Sequence, residues 1–510
     1  MKKSRAKKFG LWTSISLMVG SVVGIGIFFK NNSIFANANG NGIVILSSWV
    51  ISGLISLGAA LSFAEIGSGV HGKTGLSNYM HEIIGKKVGK LSKIVEPTFY
   101  HSVLIFALSC FAAESVLKIF LPNQMSSFHI GFIVLIGISI WIFFWILTIL
   151  SSQLIGKIQV ISTFIKFVPL ITIMIIGLLG INNSHSNSVF NNSHYIDSNN
   201  HKQLIGAFKP GLILTILPSI LFTFDGFIHV TNISTDIKNP KKNVPLGIIF
   251  GMIGVVVIYI LITLGQLLTG TTTAEKLLSI AFSKLTSTSL TNILNVFIAV
   301  AALGVCNGFI MSQVRSTEGA LEEGLLIGSK KIMKKLPKMY GFVYTLLIFL
   351  ATASVISIPT IIKNSDAIID STSNFAALYF FILYIVLIIG QIINRLKIEK
   401  IYTKNKRIKI KRFKEQRVMT KNINGFIFYP LAIISILGIF LCVFHEIFYT
   451  SLYETFTLPF KDTGFGLFHN DKKLGRSLKN WEHSLLFFIS LIIFVTLPQI
   501  IYKIQRKYNW

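Results

Sequence analysis

Twelve long apolar stretches, separated by polar segments that hold most of the charge, constrain this chain more than any other feature. They lie near residues 9–31, 43–66, 93–121, 129–150, 154–181, 209–235, 244–270, 289–312, 341–362, 374–394, 424–448 and 484–502. A helix crosses a hydrocarbon core of about 30 Å with roughly 20 apolar residues. In lipid, only helices and closed barrels satisfy their own backbone hydrogen bonds. With 52% hydrophobic and 13% charged residues over 510 positions, the chain reads as an all-α polytopic membrane protein with 12 transmembrane helices.

The formal charge of +28 would point to nucleic acid in a soluble chain, but here its placement follows topology. With the N-terminus in the cytoplasm, 35 of the 48 Lys and Arg residues fall on the inner side, 11 on the outer side, and Lys118 and Lys166 within spans. That bias matches the positive-inside rule. The expected location is therefore the cell membrane, with both termini cytoplasmic, a lipid bilayer as surroundings and no nucleic-acid partner. The basic segment 395–422 carries 12 of these charges and has anionic lipid headgroups as a second reading. Lys2 to Lys8, the following apolar run and Ala36-Asn37-Ala38 resemble a signal peptide, but the run is too long and too broken by glycine for one. Cys110, Cys306 and Cys442 lie far apart in apolar stretches, which gives neither a disulfide framework nor a metal site.

Two spans are odd inside. The first holds GSVVGIGIF, Gly20 to Phe28, with Gly20, Gly24 and Gly26 at its centre. Glycine disfavours a helix interior, so a break is expected there, with close packing through small residues as the plainer alternative. The sixth span holds Pro218 and then FTFDGF, Phe222 to Phe227, which places Asp225 and Gly226 near mid-membrane. An intramembrane carboxylate is costly and points to function; Asp225 either caps or pairs within a broken helix, or meets substrate. If spans 1–5 and 6–10 are two related units, five crossings place the second upside down in the membrane. Matched breaks at the starts of two halves indicate an inverted-repeat transporter with a midplane site. The expected organisation is a basic tail at 1–8, a first repeat at 9–181, a second at 209–395, a basic loop at 396–423, two further helices at 424–502 and a tail at 503–510. The Asn- and Ser-rich outer segment 182–208 reads as a flexible connection. Neither it nor the outer segment 449–483 shows a domain of its own.

GSVVGIGIF, the run GVHGKTGLSNYMHEIIG (Gly69 to Gly85) after Glu65, and FTFDGF followed by Asp236 and KNPKKNVP (Lys238 to Pro245) together resemble the amino acid-polyamine-organocation permeases. IQVISTFIKFVPLITIMIIG (Ile158 to Gly177) fits the same family. The resemblance covers roughly residues 10 to 320. It implies the five-plus-five inverted-repeat (LeuT-like) fold with broken helices 1 and 6, transporting an amino acid or related amine. The chain departs from the family at Ile25, where a Ser or Thr is usual, and at Thr235 and Asp236, where an acidic pair is usual. The first change removes a hydroxyl donor and the second puts a gate latch in doubt.

Helix dipoles agree with a zwitterionic substrate. Its carboxylate would meet the amides of Val23, Gly24, Ile25 and Gly26. Its ammonium would meet carbonyls near Gly20, Ser21, Phe222, Thr223 and Phe224, with Asp225 and Gly226 beside them. By the resemblance, Phe222 matches the aromatic that closes over substrate from outside. Lys166, nine residues after Lys157, lies roughly 13 Å into the membrane. By the resemblance it stands in for a second sodium ion and ties span 5 to span 1; an ion pair with Asp225 is the structural alternative. Glu114 and Lys118 should pair at i,i+4, His101 and His229 read as packing residues or proton relays, the resemblance implies that Asn307 and Gly308 face the cavity, and Arg315 should mark a cytoplasmic helix end.

The expected function is thus a secondary active transporter of amino acids, proton-coupled or exchanging, without cofactor or metal and without enzymatic activity. A polyamine or organic-cation exchanger of the same fold is the alternative. A channel remains a further class, whereas a membrane-embedded enzyme lacks the required cluster of catalytic residues and an ATP-driven pump lacks a nucleotide-binding loop.

Overall fold

The computed structural model describes residues 10–23, 25–69, 75–120, 129–179, 188–196, 202–232, 237–273, 277, 287–403, 423–461 and 478–508. Eleven helices among them are long and apolar enough to cross a membrane, and twelve when the bent first pair counts as one span. The helices in order are α1 (Leu11–Val22), α2 (Ile25–Asn37), α3 (Gly42–Gly67), α4 (Gly75–Ile83), α5 (Lys86–Val95), α6 (His101–Phe120), α7 (Ile130–Leu150), α8 (Ser152–Leu179), α9 (Gly211–Phe224) and α10 (His229–Asn232). They continue as α11 (Pro240–Thr269), α12 (Ser287–Glu322), α13 (Ser329–Lys335), α14 (Tyr340–Lys363), α15 (Ala367–Thr403), α16 (Gly425–His445), α17 (Glu454–Thr457) and α18 (Asn480–Tyr508). Each of the twelve expected spans has its helix.

Local chemistry sets the helix starts. Asn41 caps α3 by accepting from the Val44 amide at 3.1 Å, and Asn424 caps α16 by accepting from Phe426 at 3.1 Å. Side-chain oxygens there satisfy amides that lack an intrahelical partner. Pro240 opens α11, where its missing N–H costs nothing.

The inner layer brings α1, α2, α9 and α10 against α3, α6, α8, α11, α12 and α15. The outer helices α7, α14, α16 and α18 turn residues such as Leu135, Phe143, Val355, Leu437, Phe440 and Ile492 outward. On a soluble protein such a surface would aggregate; in a bilayer it is the lipid-facing wall.

Several features differ from the sequence expectation. Helix α15 extends from Ala367 to Thr403, well past both ends of the expected span, and Arg395, expected to open a cytoplasmic loop, is fully buried. Its guanidinium donates to Glu65 of α3 at 2.5 Å and to the Ile423 carbonyl at 2.9 Å, over the Phe428 ring at 4.2 Å. Gln391 donates to the other Glu65 oxygen at 2.8 Å. Charge pairing therefore lets the helix carry an arginine inside the protein. The third span likewise begins earlier, at Lys86, because α5 runs into α6 through a π-helical turn, Glu96–Tyr100. Finally, the outer segment read as a flexible connection contains an antiparallel pair, His194–Ile196 with Lys202–Leu204. It is fastened by Gly206 donating to the Asn39 carbonyl at 2.7 Å and by Tyr195 packing on Phe35.

Candidate substrate site between two broken helices

Both expected breaks are present. Helix α1 ends at Val22, with Val23 extended (φ −73°, ψ 110°), and α2 starts at Ile25. A separate bend of 54° falls further along, within α2, between the stretches Ser14–Phe28 and Lys30–Asn37. Helix α9 ends at Phe224, with Asp225 extended (φ −70°, ψ 163°), and the chain turns through Gly226 before α10 begins at His229. Gly226 has φ +99°, a conformation that glycine adopts without strain. Gly24 and the 233–236 segment with Thr235 and Asp236 lie outside the described residues, and so does the side chain of Ile25.

The two breaks touch. A methyl group on Gly26 would stand 2.7 Å from the Thr223 Cβ and 2.8 Å from its Cα, so glycine lets α2 and α9 approach backbone to backbone. Between them lies a cavity of about 20 Å³ lined by Ser21, Val22, Gly26, Phe222, Thr223 and Asp225, with Leu104, Leu108, Val305 and Phe309 opposite. One water needs roughly 10–15 Å³ on this measure. The cavity therefore has room for about one water and is too small for an amino acid.

Of the residues read as contacts, Ser21, Gly26, Phe222, Thr223 and Asp225 converge on this cavity, and Gly226 stands beside the Ser21 carbonyl and the Phe309 ring. Phe224 points elsewhere, into an aromatic cluster with Trp49 and Tyr259. The Gly20 carbonyl, expected near the substrate ammonium, receives the Lys166 ammonium at 2.6 Å. Lys166 is fully buried and joins α8 to the end of α1. The alternative pairing of Lys166 with Asp225 is not the geometry observed. Asp225 instead accepts from Tyr100 at 2.6 Å and Tyr384 at 3.2 Å, and the Gly226 amide faces the same carboxylate. Tyr100 is held in turn by stacking on Phe380, 3.6 Å between ring centres. The carboxylate thereby ties the break in span 6 to the π-helical turn and to α15.

A buried ion pair beside the cavity was missed in the sequence. Lys30 is counted there as an outer-side charge, and Asp370 falls before the expected start of span 10, yet both are fully buried and form an ion pair. Asn374 accepts from the same ammonium at 2.8 Å, and the Phe222 ring lies 4.4 Å beneath it. The pair joins α2 to α15 directly above the aromatic that borders the cavity. The available signal was the spacing of Asp370 and Asn374, which share one helical face at i,i+4.

Below the cavity a chain of buried polar groups continues. Ser312 lies within hydrogen-bond distance of His229 at 2.8 Å and His101 at 3.1 Å. Asn232 donates to Ser312 and to Glu96, each at 2.7 Å, and Ser77 donates to Glu96 at 2.6 Å. Glu96 was not singled out in the sequence; the π-helical turn brings it to the same side as Tyr100. His101 and His229 belong to this chain. Asn307 bonds Gln159 of α8 at 2.9 Å and does not border the cavity, whereas Gly308 faces the Ser21 hydroxyl. Glu114 and Lys118 pair at 3.4 Å as expected. Arg315 pairs with Glu318 at 2.9 Å, inside α12, which runs on to Glu322.

The family model for amino acid permeases matches residues 9–458. The chain belongs to the amino acid permease family. It is 26% identical to the serine/threonine exchanger SteT of Bacillus subtilis over 331 residues, 64% of this chain and 70% of that protein. It is 23% identical to the human cystine/glutamate transporter over 326 residues, covering 63% and 62% of the two chains. Against the b(0,+)-type amino acid transporter 1 of Oryctolagus cuniculus the identity is 27% over 334 residues, 64% of each. The match thus leaves more than a third of each of the two mammalian transporters uncovered.

Proposed function

We propose that this permease moves amino acids across the cell membrane by alternating access, with substrate held between the breaks in spans 1 and 6. The observation that carries this reading is the contact of the two breaks around a small cavity where Ser21, Thr223 and Asp225 stand among apolar side chains, in a member of this family. Amides at the start of α2 suit a carboxylate and carbonyls at the end of α9 suit an ammonium, so an α-amino acid meets both ends. Inverted repeats at 9–181 and 209–395 account for the matched breaks. The relatives transport or exchange serine, threonine, cystine or glutamate by name, and the first substrates to test are those.

Substrate enters from outside once Phe222 and the Lys30–Asp370 pair separate. The Lys166 ammonium on the Gly20 carbonyl occupies a place where a cation stabilises a helix end, which favours transport without sodium. Exchange or proton coupling then drives accumulation; Asp225 at the cavity, with Glu96, His101 and His229 in the polar chain beyond it, are the titratable groups nearest the site.

Purified protein in liposomes, loaded and unloaded, tests this directly. The expected result is saturable, sodium-independent uptake of a labelled amino acid, accelerated by unlabelled amino acid inside. Exchange of polyamines with no response to any amino acid would favour the organic-cation reading; conductance without saturation would mark a channel. Topology is tested separately with single cysteines, since residue 190 should react from outside and residue 410 should not.

A further inference from the structure

A charged recess lies apart from the substrate site, where α5 and α18 meet at one face of the membrane domain. Lys86, Lys87, Lys90, Leu91, Gln499, Tyr502, Lys503 and Arg506 surround a cavity of about 550 Å³. Five of these side chains are cationic and none is acidic. None of the five makes an ion pair among the described residues, although Lys93, one turn further along α5, pairs with Glu323. Lys90 lies 5.8 Å from the centre of the Tyr502 ring. The amino end of α5 enters the same recess with no side-chain cap and no acidic residue in its first turn, so its free amides add to the positive field. Like charges held this close repel one another unless an anion joins them.

We propose that this recess binds the phosphate-bearing headgroup of an anionic phospholipid. A lipid suits the site better than a free anion because of what lies beside it on α18. Ile492, Val495, Gln499, Lys503 and Arg506 follow one another at steps of three and four, which places them on a single stripe of the helix. Ile492 and Val495 are exposed on an apolar wall that faces hydrocarbon. An acyl chain lying along them delivers its phosphate to Lys503 and Arg506, with the lysines of α5 opposite. Arginine can take the phosphate bidentately, and the lysines act as point charges around it. The site stands at the membrane surface in either orientation of the chain, so it does not depend on the transport reading.

The test is native mass spectrometry of the purified full-length protein with phosphatidylglycerol and phosphatidylcholine at equal concentration. The protein should retain phosphatidylglycerol with about tenfold or greater preference, as several basic groups at a membrane surface allow. A variant with Lys86→Gln, Lys87→Gln, Lys90→Gln, Lys503→Gln and Arg506→Gln should lose that preference. A control with Lys331→Gln, Lys334→Gln and Lys335→Gln on the exposed basic helix α13 should keep it. If the fivefold variant does not fold, Lys90→Gln with Lys503→Gln should lower the preference, and Lys90→Arg with Lys503→Arg should preserve it. Equal retention by parent and variants overturns the proposal, as does equal loss in the α13 control. Pyrophosphate that displaces phosphatidylglycerol at matching concentration would make this a site for free anions and overturn the lipid assignment.

Discussion

Lys30 and Lys166 are both fully buried lysines, and they differ in what stands opposite the ammonium. Lys30 has a carboxylate, so removing it leaves Asp370 charged, buried and short of its main partner. Such breakage costs about 3–5 kcal/mol, whereas replacing both members with apolar residues is often nearly neutral. Lys30→Met should therefore lower thermal stability markedly, and Lys30→Met with Asp370→Leu should recover most of it while transport stays impaired. Equal melting temperatures for the single and double variants would remove the pair from any closing role. Lys166 meets only a carbonyl among the groups described, so Lys166→Ala releases the end of α1 without stranding a charge. Accumulation should be lost while some substrate binding remains, as read by scintillation proximity in detergent. Phe222 sits between the Lys30 ammonium and the cavity. Phe222→Ala should unfold near the parent temperature but transport poorly, and Phe222→Tyr should retain partial uptake. A fall in stability of about 3–5 kcal/mol, the usual cost of deleting a core ring, would show that the ring is packing and nothing more.

The elements show why some of this was legible in the sequence and some was not. The breaks announced themselves because glycine and a mid-membrane aspartate contradict a continuous apolar helix, and the structure interrupts α1–α2 and α9–α10 at those places. The apolar stretches carried the order of the spans, and the resemblance carried the family. Partners from distant segments were not legible: nothing local says that Lys30 meets Asp370 across 340 residues or that Arg395 meets Glu65. Charged residues near span ends were read as solvated because isolated charges usually are, and the pairing that reverses this is tertiary. The π-helical turn was also invisible, since nothing in Glu96–Tyr100 marks it within the expected span, yet both Glu96 and Tyr100 are buried there. At this scale Gly26 is the sharpest test. A methyl group there pushes α2 from α9, and overpacking of this kind typically costs 1–3 kcal/mol. Gly26→Ala should lower the melting temperature and abolish uptake together, and an alanine variant with full uptake would show that the two helices are free to part.

For the whole molecule, the apolar wall, the basic faces and the two central breaks make one membrane-embedded body around the small cavity between the breaks. The cavity there has room for about one water, and an amino acid requires several times that space. Opening must therefore draw solvent inward, each molecule taking its share of about 30 Å³. Any conformational equilibrium that exchanges water with the bulk responds to water activity, and excluded osmolytes favour the state that holds less. Dextran or sucrose outside the liposome should hence weaken apparent affinity for substrate, with a slope that counts the waters taken up; an affinity indifferent to osmotic pressure would mean that the cavity opens without hydration. By the same reasoning, a cell that loses water draws this permease toward its closed form, so dehydration itself would slow entry of the solute it carries.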